Sequence, residues 1–204
     1  MKPDEIEQLS FQIIEREAGS HEFTVEQWEI VRRMIHTTAD FDYLQTVRFH
    51  ADAIKAGVHA IRSGRQIITD TNMARTGIRK SNLTPFGVQV RCLMNDPGVH
   101  ARAQASGSTR ARAAVDAAAA DVDGGIYVVG NAPTALLRLI ELIKTNKARP
   151  ALIIGLPVGF VNATESKAAL MELDYPYISN VGRKGGSNVA ASTVNALAIL
   201  ASRP

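Results

Sequence analysis

Apolar residues in the first forty positions recur at helical spacing, and from about residue 45 the pattern changes to short apolar runs separated by amphipathic stretches. Asp4 with Glu7, and Thr24 with Gln27, have capping-box spacing ahead of the two opening periodic stretches. The first predicts a helix ending near Gly19, and the second a helix whose stripe is Val25, Trp28, Val31 and Ile35. Beyond them, the runs 46–49, 66–69, 88–92, 126–129, 151–156 and 176–179 are short, apolar and rich in β-branched residues, as strands are. Helical stretches at 51–63, 109–120, 133–145, 164–173 and 188–201 lie between them. That alternation predicts βαβ units, a mostly parallel sheet and helices on both faces. With no linker and no repeat in view, residues 1–204 read as one three-layer α/β/α domain opened by a helical pair.

Ligands of open parallel sheets bind beyond the carboxyl ends of the strands, and the turns expected there have suggestive chemistry. One is Gly130-Asn131-Ala132-Pro133, and a second runs from Pro157 to Asn162, with Asn162 and Glu165 spaced as a capping box. A third is the Gly-rich stretch from Gly182 to Asn188. Each turn alone reads first as an ordinary strand-to-helix connection, but three helix N-termini aimed at one crevice, together with an excess of Arg, favour an anion.

Charge supports the same expectation. Of 23 basic residues 16 are Arg, whose planar fork grips carboxylate or phosphate with two hydrogen bonds. Residues 60–112 carry nine basic against two acidic groups, whereas residues 1–59 carry six against eleven. Eleven aromatic residues in all argue against a protein that stacks single-stranded bases. One cysteine, Cys92, excludes an internal disulfide and a multi-cysteine metal cluster, and fits the reducing cytoplasm. The polar start lacks a secretory pattern, and no apolar run reaches membrane-spanning length.

Several catalytic devices are missing from the sequence. There is no phosphate-binding Walker loop, the GRKGGS stretch lacks dinucleotide-site spacing, and there is no nucleophile elbow. No two of the five histidines stand three or four apart, so a protein-held zinc is not expected. His36 is the exception of interest, because Arg33 lies three residues earlier on the same helix flank. An imidazole beside a fixed cation can move a proton on a bound polyanion. From spacing alone, a lone His at a helix end reads first as a surface or C-capping residue.

The strings RRMIHTTADFDYLQ, ITDTNMARTGIRK, VVGNAPTALLRLIE, GLPVGFVNATESKAAL and GRKGGSNVAASTVNAL closely resemble the precorrin-8X methylmutase family of cobalamin biosynthesis. They occur in family order from near residue 30 to the end, and SFQIIERE at 10–17 resembles the family's first helix. The resemblance implies a flavodoxin-like α/β/α fold, a homodimer, and an isomerase that moves a methyl group from C-11 to C-12 of a corrinoid. It implies no cofactor beyond cobalt carried inside the substrate, and the cobalt-dependent branch is favoured by IHTTADFD and by Lys184, where the other branch tends to carry Leu. By motif it makes His36 the proton donor and acceptor, with Ser10, Arg33 and Arg110 binding the substrate. It departs at Asn162, where the family's usual residue is Gly. A corrinoid carrier without turnover and a basic nucleic-acid-binding protein are the competing readings, the latter disfavoured by a net charge of only +3 and no recognised motif.

Overall fold

The computed structural model describes residues 2–203; the side chains of Pro3 and Asp4 lie outside what is described. Helix α1 (Pro3–Ala18) begins with Pro3 in its first turn, and the Glu5 carboxylate accepts the Lys2 backbone N–H at 2.8 Å. The cap is thus at Lys2 rather than at the expected Asp4, which lies inside the helix. Gly19, at φ 65°, ends it as expected.

Helix α2 (Val25–Thr38) forms the capping box read from the sequence, with Thr24 Oγ1 accepting the Gln27 N–H and Gln27 Oε1 accepting the Thr24 N–H. Trp28, Val31 and Ile35 are buried, but Val25 is exposed in the first turn, and Ile30 and Met34 widen the buried stripe. Each such aliphatic side chain removed from water stabilises the fold by about 1.5–3 kcal/mol. Trp28 Nε1 donates to Glu15 of α1 at 3.2 Å, which joins the two opening helices.

After α2 come α3 (Tyr43–Thr46), β1 (Val47–Phe49), α4 (Ala53–Arg62), β2 (Ile67–Thr69), α5 (Asn72–Gly77), β3 (Val90–Arg91), α6 (Pro97–Ser106) and α7 (Arg110–Ala118). The chain continues through β4 (Ile126–Val129), α8 (Pro133–Lys144), β5 (Leu152–Gly155), α9 (Ala163–Met171), β6 (Tyr177–Asn180) and α10 (Ser187–Ala201). Of the unexpected helices, α6 carried start and stop signals: Asp96 Oδ1 accepts the N–H groups of Gly98 and Val99, Pro97 opens the helix and Gly107 closes it. Only Val99 and Ala103 are buried there, so no apolar stripe advertised it. Run 88–92 yields a strand of just two residues.

The strands form one sheet in the order β1-β6-β5-β4-β2-β3. Five are mutually parallel; β1, which the sequence did not distinguish, runs antiparallel to β6, with Val47 opposite Asn180. The parallel strands taken in chain order have the flavodoxin-like sequence 2-1-3-4-5, whose switch point lies between β2 and β4. Alternation along the strands sorts the core into two layers. Ile126, Val128, Leu152 and Ile154 face the layer holding α2, α4 and α10. Tyr127, Val129 and Ile153 face α7, α8 and α9. Among the described residues no helix is long and apolar enough to cross a membrane.

Candidate functional site

The switch point, where the sequence suggested an anion crevice, is filled by the chain's own carboxylate. Asp70, the residue after β2, is buried, and its Oδ1 accepts the Gly130 N–H at 2.9 Å. Its Oδ2 accepts the N–H groups of Asn131 and Ala132, both at 2.8 Å. Burial pushes the Asp70 carboxyl above the usual range, against the pull of those three donors. Behind it, Thr71 Oγ1 lies 2.8 Å from Ser187 Oγ at the start of α10, and a Cβ on Gly130 would stand 2.7 Å from Ser187 Cα. The loop and helix are pressed together, and the three N–H groups that an external anion would need are already taken.

The other two turns also differ from expectation. Asn162 makes no side-chain cap bond to the start of α9, so the box with Glu165 is not formed. Its φ of 60° is instead left-handed, the region that favours Gly and that Asn tolerates best among other residues, which explains both the family's Gly and its replacement here. The turn before α10 is tied down from inside. Lys167 of α9, fully buried, donates from Nζ to Asn180 Oδ1 at 3.0 Å and to the Lys184 carbonyl at 2.7 Å. Burial lowers its pKa to about 8. From the same turn the Lys184 ammonium reaches the carboxylates of Asp40 and Asp42, each at 2.6 Å. That ion pair holds the Asp40 carboxyl below its usual range and clamps the segment that follows α2.

His36, two residues before the end of α2, is the chemically open position. It is exposed and lines an open cleft with Arg33 and Thr37 of α2, Glu7 of α1, and residues from the α5 exit and α10. Phe11 of α1 organises this wall: its ring centroid is 5.1 Å from that of His36, edge-on, with the guanidinium groups of Arg32 and Arg33 at 4.4 and 5.1 Å. Such stacking fixes the imidazole plane and both forks. Arg33 Nη1 also meets Glu7 Oε1 at 3.3 Å.

Arg33 and His36 are therefore brought together as their spacing suggested. Ser10 is near, one residue before Phe11, but its hydroxyl donates to the Ile6 carbonyl at 2.8 Å and does not line the cleft. Arg110 is elsewhere: it opens α7 in the opposite layer, with Nη1 3.3 Å from His100 Nε2. Sequence reasoning missed Arg79, Asn82, Ser192 and Asn195, which line the His36 cleft. ITDTNMARTGIRK and GRKGGSNVAASTVNAL contain all of them but Asn82, yet no spacing rule connects residues so far apart. Among the described residues no group of three His, Cys, Asp or Glu is placed to hold a metal.

The fold and site define a class: a flavodoxin-ordered α/β/α protein whose nucleotide crevice is sealed by its own carboxylate, and whose open imidazole stands in an arginine-lined cleft on one face. Comparison with known proteins makes this particular. The precorrin-8X methylmutase family model matches residues 5–200. The cobalt-precorrin-8 methylmutase of Priestia megaterium is 47% identical over 98% of this chain and 89% of its own. That of Leptospira interrogans is 43% identical over 97% and 94%. The crystal structure of precorrin-8X methylmutase from Thermus thermophilus superposes with a TM-score of 0.92 at 48% identity, covering 97% of this chain and 96% of that one. The chain belongs to the precorrin-8X methylmutase family.

Proposed function

We propose that this protein isomerises cobalt-precorrin-8, moving the methyl group on C-11 of the corrinoid to C-12. One observation carries the assignment of the site: His36 and Arg33 stand together, stacked on Phe11, at an open cleft in a member of the methylmutase family. In the shift the C-11 to methyl bond breaks and the C-12 to methyl bond forms, so no atom is gained or lost and no oxidant is required. The protein's task is to bind the macrocycle in the tautomer whose π-system carries the migration. His36 holds or moves the proton that sets this tautomer, and binding the product-like form better than the starting form lowers the barrier without a nucleophile. By motif Arg33 is the substrate-binding residue beside it; of the other two positions matched by motif, Ser10 stands next to the cleft without lining it and Arg110 lies in the opposite layer.

The cobalt-bearing substrate is favoured by the names of the relatives above, and any metal arrives within it. We assign the protein no cofactor of its own; the rearrangement is redox-neutral and calls for no redox cofactor. We place it in the cytoplasm, since its one cysteine builds no disulfide within the chain. We also read it as a homodimer: Ile6, Leu9 and Ile13 expose an apolar stripe along α1 next to Ser10, which a second copy would cover.

Mixing purified protein with cobalt-precorrin-8 and, separately, with the metal-free form should give a prompt change in the visible spectrum for the first. His36→Ala should abolish turnover and retain tight product binding. A wild-type rate in that variant would remove His36 from the mechanism.

A further inference from the structure

We propose that Arg79 anchors a carboxylate arm of the corrinoid in the His36 cleft. This rests on the corrinoid reading above and adds a residue to which the family resemblance gave no role.

The cleft wall carries two guanidinium groups, and they differ in how their charge is used. Arg33 is half-buried, meets Glu7 Oε1 at 3.3 Å and lies over Phe11, so its charge is already balanced within the protein. Arg79 is exposed, lines the same cleft, and among the described residues its side chain has no carboxylate partner. With Glu7 set against Arg33, the remaining fixed positive charge on this wall is that of Arg79.

Its backbone is fixed while its head is free. The Arg79 N–H donates to Asn195 Oδ1 at 2.8 Å, and Asn195 Nδ2 donates to the Gly77 carbonyl at 3.0 Å. Both ends of one α10 amide thus hold the chain where it leaves α5, and buried Ile78 and Leu83 pin it on either side. The guanidinium stands at a rooted position on the cleft; the α10 residues there, Ser192 and Asn195, are uncharged, and the Glu7 carboxylate is set against Arg33. A ligand carboxylate that engages it has no internal ion pair to break. Recruiting Arg33 in its place requires separating it from Glu7. A forked donor of this kind suits a flexible acetate or propionate arm, which two parallel N–H bonds orient.

The test compares cobyrinic acid with its fully methyl-esterified form as ligands, using full-length Arg79→Met, Arg79→Lys and Arg33→Met. Loss of one charge-assisted contact should weaken binding of the acid by Arg79→Met roughly 10- to 100-fold and leave the ester within about twofold of wild type. KM should rise by a similar factor with kcat little changed, and Arg79→Lys should recover part of the loss. The proposal is overturned if Arg79→Met binds the acid as wild type does. Equal loss for acid and ester, which a structural role would produce, also overturns it, as does discrimination between them that depends on Arg33 alone. A wild-type protein that binds neither form and converts no precorrin defeats the corrinoid reading itself, whereas an active wild type with an indifferent Arg79 defeats only this inference.

Discussion

Replacing Asp70 with Ala removes the acceptor of three backbone N–H groups at once. The Gly130 N–H is buried, and leaving it without a partner costs about 1–3 kcal/mol. The Asn131 and Ala132 N–H groups are partly buried, so water entering the emptied space takes them over and each loses roughly 0.5–1.5 kcal/mol. Against this, the variant no longer bears the desolvation that pushes the Asp70 carboxyl up. The net expectation is destabilisation by about 2–4 kcal/mol, or a fall in Tm of roughly 4–16 °C at 2–4 °C per kcal/mol for a chain of this size. Asp70→Asn retains a carbonyl but must turn an NH₂ toward one of the donors, so it should lose about 1–3 kcal/mol. Thermal unfolding with and without sodium formate isolates the cause. Formate has the size and charge of the missing carboxylate, and should raise the Tm of the Ala variant in a dose-dependent way while leaving the Asn variant and the wild type unmoved. An Ala variant within about 0.5 kcal/mol of wild type, or one indifferent to formate, would refute the seal.

Two further perturbations address the turn before α10. Lys167 has a folded pKa of about 8, below its ordinary 10.5, so the unfolded chain binds more protons between those values and stability from this group rises with pH across that window. Denaturant unfolding at pH 7.5 and pH 10 should show wild type gaining about 1–3 kcal/mol relative to Lys167→Met; a difference that does not change with pH contradicts the burial argument. Lys184→Met takes the cation from between Asp40 and Asp42, and hydrogen exchange at residues 39–43 should quicken while the Asp40 carboxyl titrates closer to its ordinary value. Unchanged exchange and an unchanged Asp40 titration would mean that the clamp does not hold the segment after α2.

The elements legible in the sequence were those whose signal lies within a dozen residues. The Thr24 capping box, the buried face of α2 and the run that becomes β4 could be read because periodicity and caps are local properties. Helix α6 escaped because two buried side chains make no stripe, and α5, of six residues, is shorter than the pattern that would reveal it. Likewise, the pairing of Arg33 with His36 followed from a separation of three on one helix, and the structure places both on one cleft wall.

The sequence by itself determined the layered α/β class, the helical pair at the start and the residue types available for proton transfer and carboxylate binding, because composition and period decide which faces can be buried. Only the tertiary structure decided which strand ends are open. Asp70 and Gly130 are 60 positions apart, and nothing in either segment announces that one carboxylate satisfies three donors of the other and closes the crevice. In the same way, Arg79 reaches the His36 cleft through Asn195, 116 positions away. Hydrogen bonds of this kind form between groups that folding brings together, and their free energy depends on burial that no local pattern records.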